Sequence, residues 1–216
     1  MKRKEKFLKG EIYHVFNKSI ANYEIFGSIE KSQQFINRLF YYNTSLVKDS
    51  FSKYIRKNKN YKCENLLLPQ DFSYVKILAY CLMPDHYHLL VKILKDDVFS
   101  KLISDVENSF SRYLNTKQKR KGPLWQSNFK AVRIKNNEQL LHVSRYIHLN
   151  PTTANLVADP KDWRFSSYRD YINNRKILKE ILKEISISDI KKYKIFVENN
   201  KDYQKKLKII KKLIFD

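Results

Sequence analysis

Glycine is nearly missing from this chain, with three in 216 residues. That scarcity argues against loops that cradle phosphate on successive backbone N–H groups, and neither a Walker nor a dinucleotide-binding pattern occurs. Cysteine is sparser still. Cys63 and Cys81 are the only two; they form no CxxC pair and build no disulfide framework, which fits a reducing, cytoplasmic setting. No stretch approaches the ~20 apolar residues that span a bilayer. The basic start, Met1 to Lys6, has no apolar run behind it and does not read as a signal peptide. A soluble, intracellular protein with no membrane partner is expected. Acidic residues are also in short supply, 22 against 43 Lys and Arg, for a formal net charge of +21. A coding bias toward lysine explains part of the excess, but not why acidic residues fail to keep pace. A charge of that size speaks about partners, and nucleic acid leads the polyanions.

What is present suffices for a real core. Hydrophobic residues make up 43% of the chain, and its length suits one domain plus an extension. Residues 11–18 are rich in β-formers and read as a strand. Phe35, Ile36, Leu39 and Phe40 recur at helical spacing, which predicts a helix over 30–43. Residues 45–72 are mixed and basic, a partly helical insertion. Strands follow at 74–82 and 86–94, joined by the tight turn Met83-Pro84-Asp85. Phe99, Leu102, Ile103, Val106, Phe110 and Leu114 mark an amphipathic helix over 98–116. After a basic loop at 117–127 comes a strand at 128–135. Asn136 and Gln139 form a capping box for a helix over 137–149, whose continuation Pro151 prevents. The order β-α-β-β-α-β-α predicts an α+β, ferredoxin-like (split β-α-β) antiparallel sheet with helices on one face. It occupies residues 1–175. Residues 176–216 read as a Lys-rich extension of two small helices.

Two places carry chemistry. In the strand at 86–94, alternate side chains share a face, so His86 and His88 point the same way while Tyr87, Leu89, Val91 and Ile93 point into the core. Two imidazoles two residues apart can hold one metal ion from one side and leave positions open for a phosphate oxygen. The same pattern also suits solvated or core-satisfied histidines. On the helix at 137–149, Gln139, His142 and Tyr146 share a stripe that Asn150 continues, opposite Leu140, Val143 and Ile147. An asparagine oxygen suits a hard divalent cation. A core-edge tyrosine with an asparagine helix cap is the plain alternative.

The segment 80–91, which contains both histidines, closely resembles the HUH motif of the single-tyrosine transposases, above all the REP-associated tyrosine transposases. Residues 13–17, 122–130, 145–151 and 163–168 resemble the same family, so the likeness runs in order over about residues 8–172. It implies a ferredoxin-like, metal-dependent endonuclease and strand transferase acting on single-stranded DNA. By position, His86 and His88 are the HUH ligands, Tyr146 is the nucleophile that forms a 5′-phosphotyrosine, and Asn150 takes the third-ligand place. Mg²⁺ or Mn²⁺ is the implied cofactor. Single-stranded DNA with hairpin (palindromic repeat) elements is the implied partner, bound by a monomer or a homodimer. Two positions depart from the commonest spelling, Asp85 for asparagine and Tyr87 for a smaller apolar residue; neither removes a ligand.

For DNA contacts the basic loop offers Lys119, Arg120, Lys121 and the aromatic Trp125, the next strand Lys130 and Arg133, and the preceding helix Arg112. A solvated basic face, or a core position for Trp125, would account for them equally. Three other readings fit parts of the pattern. One is a catalytically idle DNA- or RNA-binding protein on the same fold. The second is a replication-initiator-like nickase, and the third a metal-dependent hydrolase that needs the histidines but not Tyr146.

Overall fold

The computed structural model describes residues 6–47, 49–58, 72–173, 184, 189–201 and 204. At its centre is a four-stranded antiparallel sheet. Strands β1 (Ile12–Lys18), β2 (Val75–Leu82), β3 (His86–Ile93) and β4 (Lys130–Arg133) lie in the order β2-β3-β1-β4. Helices α1 (Ile29–Tyr42) and α3 (Phe99–Lys117) fill the two crossovers. Helix α2 (Phe51–Lys57) occupies part of the expected insertion, whose residues 59–71 lie outside the described ones. This is the ferredoxin-like α+β arrangement that the element order predicts.

Alternation along the strands builds the first core. β1 buries Tyr13 and Val15, and β3 buries Tyr87, Leu89, Val91 and Ile93 on the same sheet face. Phe35, Ile36 and Leu39 of α1 and the apolar stripe of α3 close over them. Each large side chain removed from water there contributes roughly 1.5–3 kcal/mol.

The expectation of helices on one face needs correction. Helices α4 (Asn137–Thr153), α5 (Tyr168–Ile172) and α6 (Ile190–Glu198) cover much of the other face. A second core forms there from Leu78, Cys81, Leu90, Ile147, Tyr168, Tyr171, Tyr193 and Val197. His86, His88 and Lys92 make this side of β3 look polar in sequence, yet Leu90 among them is fully buried. The register of β2 against β3 also shifts between Ile77 and Ala79. Such a bulge exchanges the faces of the residues beyond it, which brings Ala79 and Cys81 to the second core. Helix α6 belongs to the Lys-rich extension and shares this core. Most of the remaining extension, where the other small helix is expected, lies outside the described residues. Among the described residues no helix is long and apolar enough to cross a membrane.

Two local features position the site. First, the β2–β3 turn is tied down: the Met83 N–H donates to the His86 carbonyl, the Phe26 N–H to that of Pro84, and the Ser19 N–H to that of Asp85, each at 2.8 Å. Second, both ends of α4 are fixed by local hydrogen bonds. Asn136 Oδ1 accepts the Gln139 N–H at 2.8 Å, and Gln139 Oε1 accepts the Lys135 N–H at 2.7 Å, so the capping box is present with its return bond one residue upstream. Pro151, however, does not stop the helix, which runs on to Thr153. In the last turn a proline removes a single N–H. The turn closes regardless, with Ala154 N–H donating to the Asn150 carbonyl at 2.9 Å and Leu156 N–H to that of Pro151 at 3.0 Å. Asn155 then leaves the helix in the left-handed region, φ 56°. Asn150 is therefore helical, one turn beyond Tyr146.

Candidate active site

His86 and His88 open β3 beside the end of β1, where Lys18 pairs with His86 and Phe16 with His88. Their rings lie 5.1 Å apart and perpendicular. Tyr146 of α4 meets the His88 ring edge-on at 5.5 Å. These side chains line a cleft of about 260 Å³ that Lys18, Lys130 and Gln126 also border.

Each strand histidine has its Nδ1 engaged from outside the cleft. His86 Nδ1 lies 2.5 Å from Asp85 Oδ1. The other Asp85 oxygen faces the Lys18 ammonium at 3.3 Å. Burial pushes the Asp85 carboxyl upward, but the His86 and Lys18 neighbours outweigh it and hold the group below its usual range. A carboxylate accepts only, so the Nδ1 facing it carries a proton, and the neutral form of His86 presents its lone pair at Nε2. His88 Nδ1 lies 3.0 Å from His14 Nε2, and the two rings stack at 5.1 Å. Burial lowers His14 to about 4. His88 falls well below its ordinary value, through burial first and then the repulsion of His14 and His86. At neutral pH both rings are uncharged.

Tyr146 is partly exposed at 40%. Burial of its hydroxyl raises the pKa, and the Asn150 side chain partly offsets that rise by favouring the ionised form. Asn150 is buried, and its Nδ2 is near enough to the Tyr146 hydroxyl to favour the ionised form but makes no hydrogen bond of full geometry. The amide can turn over within the same shape, and only with its oxygen at this position does it offer a cation a ligand. Among the described residues no three His, Cys, Asp or Glu side chains form a ready metal cage. The available set is two imidazoles and one amide, and the donor types and the buried amide fit a divalent cation that keeps open positions.

Helix α4 is anchored from behind. His148 points away from the cleft into the second core, its Nδ1 2.7 Å from the Tyr193 hydroxyl and its Nε2 2.9 Å from Ser167 Oγ. The Tyr193 hydroxyl also donates to Ser144 Oγ at 3.1 Å. Gln204 Nε2 donates to the Tyr146 carbonyl at 3.3 Å.

Of the residues singled out from sequence, His86, His88, Tyr146, Asn150 and Lys130 come together. His142 does not join them; it is exposed and lies 2.9 Å from an Arg145 nitrogen. Arg112 is exposed on α3, across the sheet from the histidines, and Lys119 and Lys121 are exposed in the loop. Arg120 is held within that loop by Asn115 Oδ1 at 2.8 Å and the Pro123 carbonyl at 2.7 Å. Arg133 is paired with Glu11. Trp125 packs against Phe26, Phe35, Tyr87 and Phe110 of the first core, its indole N–H directed to the Glu107 carbonyl at 3.4 Å. Sequence reasoning passed over His14, Lys18 and Gln126. His14, Phe16 and Lys18 alternate along β1, a visible signal, but their face meets the histidines only because β1 pairs with β3.

A ferredoxin-like sheet with two strand histidines facing a helix tyrosine describes a class, and comparison assigns the family. The profile described as "Transposase IS200 like" matches residues 42–150, and the chain belongs to that family. It is 28% identical over 94 residues to a REP-associated tyrosine transposase of Escherichia coli strain K12, covering 43% of this chain and 54% of that protein. It is 31% identical over 101 residues to a Haemophilus influenzae protein provisionally given the same name, covering 42% of this chain and 57% of the relative. The chain thus spans a little over half the length of these relatives. The fold is similar to that of a REP-associated tyrosine transposase solved bound to a REP hairpin, with a TM-score of 0.57 and 18% identity over 81% of this chain and 86% of the other.

Proposed function

We propose that this protein is a metal-dependent endonuclease and strand transferase for single-stranded DNA, acting at sites flanked by hairpins through a covalent 5′-phosphotyrosine. One observation carries the reading above the rest. The ring of Tyr146 stands against His88 in a basic cleft, with Asn150 one helical turn beyond it.

Tyr146 Oη attacks the scissile phosphorus and the bond to the 3′ oxygen breaks. The tyrosine gives up its proton, and the departing oxygen gains one to become a free 3′-OH. Because the phosphodiester energy is kept in the tyrosine ester, another 3′-OH can reverse the step and join a new strand. His86, His88 and Asn150 would hold Mg²⁺ or Mn²⁺, which supplies positive charge to the scissile phosphate as negative charge builds. Lys18 and Lys130 stand at the cleft to receive neighbouring phosphates. The hairpin preference is drawn from the relatives named for REP elements.

The test is an adduct assay. Protein, Mn²⁺ and labelled single-stranded DNA bearing an adjacent hairpin are incubated and run on a denaturing protein gel. A labelled protein band that disappears in Tyr146→Phe is the expected result. No adduct with any hairpin-bearing strand, alongside intact binding, would make this an idle binding protein. Cleavage that survives Tyr146→Phe would instead make it a hydrolase.

A further inference from the structure

His88 has a neighbour that belongs neither to the ligand set nor to the nucleophile. His14 rises from β1 on the same sheet face, and its Nε2 lies 3.0 Å from His88 Nδ1, with 24° between the ring planes. Two ring nitrogens at that distance share one proton, so one ring donates and the other accepts. If His14 donates, the proton of His88 sits on Nε2, and the ring has no lone pair to offer. If His88 donates, its Nε2 is free. Asp85 settles the same choice for His86, because a carboxylate only accepts.

We infer that His14 is a positioning residue, accepting the Nδ1–H of His88 and so holding that ring in the tautomer and orientation that present Nε2 to a divalent cation. The inference rests on the proposed function, since it takes His88 as a ligand. His14 itself stays outside the ligand set, because its Nε2 is spent on His88 and its ring does not line the cleft. It plays for His88 the part that Asp85 plays for His86, but without adding charge. Partners of this kind fix the orientation of ligating histidines and raise their basicity.

The test is Mn²⁺ titration of the full, metal-free chain, followed by the paramagnetic resonance signal of free Mn²⁺. His14→Phe keeps a ring but has no acceptor; His14→Gln places an amide oxygen near the former Nε2. Loss of an outer partner typically weakens metal binding about 10- to 100-fold, which is the expectation for His14→Phe, while His14→Gln stays within about threefold of wild type. Pulsed measurements on the Mn²⁺-bound wild type should count two imidazole nitrogens. His14→Phe binding Mn²⁺ as wild type does, His14→Gln binding as weakly as His14→Phe, or a third imidazole nitrogen would each overturn the inference. If His14→Phe fails to fold, as judged by circular dichroism, the glutamine variant and the nitrogen count still decide. Failure of the underlying reading looks different: the wild type binds no Mn²⁺, or His88→Ala binds it unchanged, and the role of His14 falls with it.

Discussion

Glu107 provides a test of how the floor of the cleft is held. It is buried in the first core on α3, and its Oε1 accepts from Asn17 Nδ2 at 2.8 Å and from the Tyr87 hydroxyl at 2.7 Å. Tyr87 lies between His86 and His88, and Asn17 borders the cleft. Burial raises the Glu107 pKa from 4.5 to about 7, against the pull of its two donors. Below the unfolded value both states carry the proton and stability is full. Between 4.5 and 7 only the folded state holds it, so stability falls as pH rises, by ~1.4 kcal/mol per unit. Above 7 the cost stands at about 3 kcal/mol.

Glu107→Gln keeps an oxygen for both donors and removes the titration. The wild type alone would mislead, because His14 and His148, lowered by burial to about 4 and about 3, have the opposite slope. Their stabilisation is present above 6.5 and lost as pH falls. In the difference between variant and wild type those contributions cancel. Urea unfolding at fixed pH steps from 4.5 to 8 should therefore show Glu107→Gln gaining about 3 kcal/mol on wild type across the range. A difference that stays flat to within ~1 kcal/mol would mean that Glu107 is not proton-bound, and would refute the reasoning.

Trp125→Ala should cost about 3 kcal/mol of stability as a core truncation and leave single-strand affinity almost unchanged, measured well below its melting point; a DNA-stacking role would give the reverse. Lys130→Ala should reduce the dependence of log K on log salt by ~0.7 for single-stranded DNA. Arg133→Ala should change that slope less, because Arg133 is already paired with Glu11; equal slopes in the two variants would contradict the placement. Asp85→Asn keeps an acceptor for His86 Nδ1 but releases Lys18, so Mn²⁺ affinity by resonance titration should drop only about threefold, as for a partly exposed ion pair. Loss of binding as complete as in His86→Ala would show that Asp85 does more than accept.

Much of the fold was legible because its signals are local. Strand alternation in β3, the stripe of α3 and the Asn136–Gln139 cap each lie within a few residues, and the ferredoxin-like order follows from their sequence. Pro151 misled for the opposite reason. Its local rule is sound, but a lost N–H in the last turn is cheap once Ala154 and Leu156 close the helix end. Helices on one face also failed for a physical cause: the bulge in β2 changes sides where period-two reading does not, and Leu90 sits buried between polar neighbours. The site followed the same division. His86 with His88, and Tyr146 with Asn150, are readable pairs within single elements. Whether one pair faces the other depends on α4 crossing the second sheet face, which only the assembled core decides.

His14 marks the limit of that reading. Nothing about Tyr13-His14-Val15 distinguishes its histidine from one facing solvent, because its partner is 74 residues away. The relation becomes visible through sheet order. β1 lies between β3 and β4, so its outward residues stand directly beside the histidines, and Lys130 lies beyond them, paired with Phe16. That placement also bears on how a chain of charge +21 could receive the proposed cation. Burial strips the charge from His14 and His88, and Asp85 answers both His86 and Lys18. The excess positive charge is left to the cleft rim and the outer surface, where phosphates would meet it, while the His88 ring stays neutral.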